Sequence, residues 1–174
     1  ERVGDNTNCR FIVQWKQSRN IFPNSSFDGT RRYLVSSNTT DGVQSELIQN
    51  MGTSVDMGVP ETLADFIAWG KRNYPADRYA LVIWNHGSGW SRKGGPDSRS
   101  VSYDDETGNV IYTWQLRQAL ANQHLDIIAF DASLMQMIEV AYEIRDHADF
   151  AAGSEESPPG EGYPYDAVFQ GFRN

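Results

Sequence analysis

Apolar and polar positions along the chain predict strands that alternate with helices. Two runs share one pattern: Tyr79–Trp84 and Leu125–Phe130 are apolar and partly β-branched, and both end abruptly in polar or small residues. The pattern is typical of buried parallel strands followed by loops at their carboxyl ends. Ligands of open α/β sheets bind just beyond those ends. The chemistry is therefore expected where His86 follows the first strand and where Asp131 and Ser133 follow the second.

Shorter runs predict the remaining elements. Further strands are expected at Cys9–Trp15, Arg32–Ser36 and Phe150–Ser154, and helices from Pro60 to Pro75, over Trp114–Asn122 with Thr113 as N-cap, and over Leu134–Asp146. The polar stretch Asn38–Gly58 has room for a short helix at Ser45–Asn50, and Ser88–Asn109 is expected to be a long functional loop. Strands alternating with helices favour an α/β class with a mostly parallel sheet flanked by helices.

Length and composition narrow the function classes. The 174 residues suit a single domain, and a net charge of −8 argues against nucleic-acid or anionic-membrane partners. No apolar run approaches the roughly 20 residues of a membrane span. The single cysteine, Cys9, excludes an internal disulfide framework and is expected to be a half-buried small side chain. Because Glu1 is not an initiator methionine, the chain is expected to be a fragment of a longer precursor.

His86 and Ser133, which follow the two predicted strands, can each be interpreted in two ways. His86, followed by Gly87, is either a general base or acid or a structural histidine. Ser133 is either a nucleophile at a sharp turn, with its backbone N–H near a developing oxyanion, or an N-cap of the helix from Leu134, with Asp131 as an alternative cap. Metal-ligand and nucleotide-binding spacings are missing from the sequence, since it has no HExxH, CxxC or GxGxxG.

The motifs WNHGSGW, FDASLM, AYEIRDHADF, GSEE and PGEGYPYD resemble those of the clostripain family of cysteine endopeptidases, in the caspase-like clan with gingipain and legumain. The resemblance covers about residues 11–166 and implies a caspase-like three-layer sandwich with a catalytic His/Cys dyad. The dyad maps onto His86 and position 133, where this chain has Ser133 instead of the family's cysteine. A serine hydroxyl is harder to activate than a thiol, so little or no turnover is expected.

The resemblance implies further roles. The backbone amides of Gly87 and residue 133 would hold the oxyanion, and Asp131 resembles the acidic determinant of a pocket for a basic P1 residue. Glu161 is a candidate second carboxylate there, because two carboxylates bind a guanidinium through charge-assisted hydrogen bonds. Cleavage is thus expected after Arg, with Lys as the weaker alternative. In an active form, self-cleavage is expected in the 91–100 loop, at Arg92, Lys93 or Arg99.

Partners and origin follow from the same resemblance. Family members begin with a strand and helix that this chain lacks, so a second chain of the same precursor is expected to complete the sheet. No cofactor is required by the sequence. Calcium could bind weakly at Asp104–Glu106, although a solvated loop is favoured. A bacterial secreted or cell-surface location is expected.

The presence of Ser133 leaves three functions open. The first is an Arg-specific endopeptidase whose nucleophilic cysteine was replaced to stop self-cleavage. The second is a natural pseudopeptidase that binds basic peptides without cleaving them, and the third is a true serine hydrolase.

Overall fold

A computed structural model of the chain describes residues 4–6, 8–37, 44–90, 100–160 and 162–172. Two compact units divide the chain: Glu1–Val55 with Tyr163–Asn174, and Asp56–Gly162. The elements are β1 (Ile12–Gln17), β2 (Gly29–Leu34), β3 (Glu46–Gly52), α1 (Pro60–Asn73), β4 (Ala80–Trp84), β5 (Ser100–Tyr103), β6 (Val110–Tyr112), α2 (Thr113–Ala119), β7 (Leu125–Asp131), α3 (Ile138–Ile144), β8 (Ala148–Ala152) and α4 (Tyr165–Val168). A 3₁₀ turn follows at Gln170–Phe172. No helix within these described ranges is both long and apolar enough to cross a bilayer.

The first unit contains an antiparallel sheet in the order β1-β2-β3. The polar loop between β1 and β2 closes a hairpin whose register runs from Gln17 opposite Gly29 to Ile12 opposite Leu34. The short helix expected at Ser45–Asn50 is wrong, because β3 occupies this stretch and pairs with β2. Its side chains are mostly exposed, so backbone pairing with β2, rather than a buried apolar face, fixes it as a strand.

The second unit contains a parallel sheet in the order β4-β7-β8. Ile83 of β4 and Phe130 of β7, opposite each other in the register, face a core that helices α1, α2 and α3 line with Ile67, Leu116 and Val140. All five side chains are buried. The predicted α/β class, with a parallel sheet and packed helices, is confirmed. The sheet and one helical layer of the expected sandwich lie in this unit.

The opposite face of the parallel sheet is apolar and exposed. Neighbouring side chains on a strand point to alternate faces, so Trp84, Ile127 and Phe150 lie on the face away from the helices. Trp84 is 61% exposed and Phe150 is 69% exposed. Within the described residues, β4 and β8 are also the two edges of this sheet.

The expectation of a long loop at Ser88–Asn109 is wrong for its second half. Strand β5 lies there and pairs antiparallel with β6. Asp104, expected in a solvated loop, is instead buried and closes the connecting turn: its carboxylate accepts hydrogen bonds from the N–H groups of Glu106 (3.0 Å), Thr107 (3.3 Å) and Met57 (2.8 Å). Four- and three-residue strands carry too few positions to show a periodicity.

Two predicted helix starts are also wrong. Tyr112, not Thr113, is the N-cap of α2, and the buried hydroxyl of Thr113 donates to the carbonyl of Gly89 at 3.0 Å. Helix α3 begins at Ile138 rather than Leu134, since Leu134 has a φ of +64° that no helical residue adopts.

Candidate active site

Strands β4 and β7 place the candidate residues side by side. Trp84 is the register partner of Asp131, and the N–H of Asn85 donates to the Asp131 carbonyl at 3.4 Å. His86 and Ser133 each follow this aligned pair by two residues. Both therefore stand in loops that leave the carboxyl edge of the same sheet, where ligands of parallel sheets bind.

The two loops are in contact at Gly87. A Cβ at this position would lie 2.5 Å from the carbonyl oxygen of Ser133 and 3.0 Å from the Cβ of Ala132. Side chains do not tolerate such distances, so the close approach requires a glycine here. Neither the Gly87 N–H nor the Ser133 N–H donates a hydrogen bond to any residue that the structure describes.

Asp131 ends β7 with a buried side chain. Phe130 faces the helical core, so Asp131 points to the opposite face of the sheet. Gly162 covers the carboxylate there, since a Cβ built on it would lie 2.6 Å from Oδ2 of Asp131. The carboxylate therefore lies beside a loop backbone and away from the apolar core.

The imidazole of His86 is exposed and lies against the β5–β6 hairpin. Its ring meets the ring of Tyr103 edge to face, with the centroids 5.9 Å apart and an interplanar angle of 89°. No described residue makes a hydrogen bond or ion pair with the ring nitrogens. An isolated bridge between Gly87 and Val101 holds the loop beside the hairpin.

The other two histidines lie at the far end of the sheet. His124 pairs with Asp149, with Nε2 and Oδ1 3.3 Å apart, and the carbonyl of His147 accepts the N–H of Leu125 at the start of β7.

The interpretation of Ser133 or Asp131 as a helix cap is wrong. Helix α3 starts five residues after Ser133, and its N-cap is Met137. The intervening segment pairs instead with the loop after β8, since the N–H of Leu134 donates to Glu156 and that of Gln136 donates to Ser154. These bonds hold the chain after Ser133 in a non-helical turn.

Some of the predicted site residues lie outside the described residues. They are Glu161 and the self-cleavage candidates Arg92, Lys93 and Arg99.

Weak calcium binding at Asp104–Glu106 stays a prediction. Each carboxylate oxygen of Asp104 accepts a hydrogen bond from at least one backbone N–H group. In the ranges that the structure describes, no group of three or more His, Cys, Asp or Glu side chains is arranged to hold a metal.

Sequence reasoning missed Asn85, Tyr103 and Gly162. Asn85 directly precedes His86, and an amide beside a candidate base was a visible signal. Tyr103 and Gly162 are distant in sequence from the residues they contact, and nothing in the local pattern marks them.

Comparison with known proteins decides the family. The sequence model of the clostripain family matches residues 26–174. The chain belongs to the clostripain family. Clostripain of Hathewaya histolytica is 34% identical over 161 residues, covering 82% of this chain and 31% of that protein.

Two solved structures share the fold of this clostripain-family chain. A secreted C11 cysteine protease from Bacteroides thetaiotaomicron, in complex with an irreversible peptide inhibitor, is 29% identical with a TM-score of 0.69, over 83% of this chain and 40% of that one. An inactive zymogen C11 protease from Parabacteroides distasonis is 28% identical with a TM-score of 0.61, over 79% of this chain and 37% of that one. The chain thus spans about a third of the curated relative and two fifths or less of these two structures. C11 family members are cysteine proteases that act on peptides.

Proposed function

We propose that this chain carries the catalytic centre of an endopeptidase that cleaves after Arg, or more weakly after Lys, in a form with Ser133 at the nucleophile position. One observation carries the proposal: His86 and Ser133 leave neighbouring parallel strands, and Gly87 lies against the backbone of Ser133. Family membership supports cysteine-protease chemistry at this edge of the sheet.

The proposed reaction uses a cysteine at position 133. His86 takes the thiol proton, the thiolate attacks the peptide carbonyl, and the acyl-enzyme forms as the protonated imidazole gives its proton to the leaving amine. Water then hydrolyses the thioester with His86 as base. The N–H groups of Gly87 and residue 133 hold the oxyanion, and their lack of partners among the described residues supports this role. Apart from the cysteine at position 133 and the attacking water, the chain supplies every group that these steps need.

Asp131 is proposed to bind the basic P1 side chain. Its carboxylate precedes the nucleophile position by two residues and lies on the sheet face away from the core. A guanidinium gains charge-assisted hydrogen bonds from a carboxylate that a neutral side chain cannot make. Glu161, next to the Gly162 that covers Asp131, is proposed as the second carboxylate.

Ser133 is proposed to disarm the site. Its hydroxyl is a far weaker acid than a thiol of pKa about 8.5. The exposed imidazole of His86 also donates no hydrogen bond to a described carboxylate that would orient it. The site is disarmed in the same way whether a cysteine was replaced by Ser133 or the activity was lost naturally.

The presence of a serine favours a second candidate, a natural pseudopeptidase that binds basic peptides without cleaving them. One comparison separates the two: this chain and its Ser133→Cys variant on a reporter peptide with Arg at P1. Hydrolysis by the variant alone supports the endopeptidase. Binding by both and hydrolysis by neither supports the pseudopeptidase, and hydrolysis by the serine form would indicate a serine hydrolase.

Self-cleavage within residues 91–100 is proposed for the cysteine form. Arg92, Lys93 and Arg99 offer the preferred P1 residues shortly after His86. The Ser133→Cys variant should convert to two chains on a denaturing gel, and the serine form should stay intact. An intact Ser133→Cys chain that still hydrolyses the reporter contradicts self-cleavage but leaves the endopeptidase standing.

A second chain of the same precursor is proposed to complete the parallel sheet and to cover its exposed apolar face. The exposure of Trp84, Ile127 and Phe150 supports it. Trp84 should be protected from hydroxyl-radical oxidation in a longer precursor and oxidised in these 174 residues alone; equal oxidation in both contradicts the proposal.

A bacterial secreted or cell-surface location is proposed because one relative is a secreted protease.

A further inference from the structure

We infer that Asn85 and Tyr103 are positioning residues that hold the imidazole of His86 at a fixed angle, an inference that rests on the proposed function of His86. An exposed ring without a described hydrogen-bond partner turns freely unless neighbouring groups pack against it. Misplacement by about 1 Å costs about a hundredfold in rate, so a base of this kind needs such groups.

The side-chain amide of Asn85 binds the hairpin as a peptide group would. Its Oδ1 accepts the N–H of Tyr103 at 3.0 Å, and its Nδ2 donates to the Tyr103 carbonyl at 3.3 Å. The same Oδ1 accepts the N–H of His86 at 2.7 Å. One amide therefore ties the backbone of His86 to the backbone of Tyr103.

A β-bulge directs the Tyr103 ring toward His86. Val101 is opposite Ile111 and Tyr103 is opposite Val110, so Ser102 is the extra residue of β5. Ser102 has a φ of +58°, a backbone conformation that costs a non-glycine residue energy. Bulges re-aim side chains by shifting the alternation of faces.

Hydrogen bonds at both ends of the bulge keep Tyr103 in place. The Ser102 hydroxyl donates to the carbonyl of Met57 at 2.8 Å. The buried Ser100 hydroxyl donates to the Tyr103 hydroxyl at 2.9 Å, and the Ser100 N–H donates to the Ser88 hydroxyl at 2.9 Å. The Tyr103 ring is thus held at its backbone and at its hydroxyl, and its edge-to-face contact with His86 limits rotation of the imidazole.

The first test is spectroscopic and needs no proteolysis. In the chain with Ser133, labelled with ¹³C at the histidine Cε1 position, three ring signals are expected, one each for His86, His124 and His147. The His86→Gln variant lacks the His86 signal and thereby identifies it. Tyr103→Leu should move and broaden the His86 signal and leave the other two unchanged, and Asn85→Ala should do the same. An unmoved His86 signal in both variants, each with an unchanged far-ultraviolet circular dichroism spectrum, overturns the inference.

Matched controls separate positioning from general damage. Asn109→Ala removes an amide that donates to Asp56 in the same unit, and Tyr142→Leu removes an exposed tyrosine of α3. Both controls should leave the His86 signal in place. A shift of that signal in the controls as large as in the test variants also overturns the inference.

The second test is kinetic and uses the Ser133→Cys background. Tyr103→Leu should lower kcat about 10- to 100-fold with KM nearly unchanged, and Tyr103→Phe, which keeps the ring, should restore most of kcat. Equal loss in the leucine and phenylalanine variants overturns the role of the ring. If the Ser133→Cys chain hydrolyses nothing, the proposed function fails, and the ring signals still decide whether Asn85 and Tyr103 hold His86.

Discussion

The backbone of Gly162 lies against the carboxylate of Asp131, so closely that a Cβ on Gly162 would sit 2.6 Å from Oδ2. The φ of Gly162 is +70°, which an L side chain rarely adopts. The loop after β8 thereby determines the space above the carboxylate proposed to bind the P1 guanidinium.

Gly162→Ala in the Ser133→Cys background is therefore expected to raise KM for an Arg-P1 reporter about tenfold, equivalent to about 1.4 kcal/mol of binding, by displacing the Asp131 carboxylate. Steady-state kinetics measure the change. Gly160→Ala is the matched control, since a Cβ there meets nothing within 4 Å. Equal KM values for the two variants would show that the loop does not shape the pocket.

Gly87→Ala is expected to separate the two loops of the site. The new methyl group would meet backbone, the Ser133 carbonyl, which yields less easily than a side chain. We expect about 1–3 kcal/mol of lost stability and at least a tenfold loss of kcat in the Ser133→Cys background. Denaturant unfolding and reporter kinetics measure both effects. Gly171→Ala, in open space, should change neither; full activity in Gly87→Ala contradicts the described contact.

Asp104→Asn is expected to loosen the β5–β6 turn. The substitution replaces one carboxylate oxygen by an amide NH₂, which cannot accept the N–H groups now bound there. A loss of about 1–3 kcal/mol in the free energy of unfolding is expected, measured by denaturant titration. The exposed Asp105→Asn serves as control, and an equal, small effect of both would contradict a structural role for Asp104.

Cys9 is expected to react slowly with alkylating agents. Burial, and secondarily the charge of Asp5, raise the pKa of the Cys9 thiol above its ordinary value. A raised pKa leaves less thiolate at neutral pH, and the thiolate is the nucleophile. Iodoacetamide labelling of the serine chain, followed by mass spectrometry, should proceed more slowly than labelling of a free cysteine peptide at pH 7 and should accelerate as the pH rises. Labelling as fast as the peptide would contradict this environment.

The edge of the sheet that carries the candidate site could be predicted from the sequence, because local apolar runs identify the two strands that form it. Tyr79–Trp84 and Leu125–Phe130 are largely apolar runs whose sudden end marks buried strands and their carboxyl ends. Once the strands were known to be parallel and adjacent, the proximity of His86 and Ser133 followed.

The parts that failed depend on partners distant in sequence. Strand β3 is set by pairing with β2, and the late start of α3 is set by hydrogen bonds from Leu134 and Gln136 to the loop after β8. The contact of Tyr103 with His86 needs the one-residue bulge at Ser102, which no period in the sequence announces.

The most direct measurement of the central proposal is covalent labelling of the Ser133→Cys chain by an irreversible peptide inhibitor with Arg at P1. Peptide mapping by mass spectrometry should place a single adduct at position 133. In the same background, His86→Ala should abolish formation of the adduct and Asp131→Asn should slow it strongly. The chain with Ser133 should form no adduct. An adduct on Cys9 instead, or labelling of position 133 that is indifferent to His86 and Asp131, would contradict a His86-activated nucleophile above an anionic pocket.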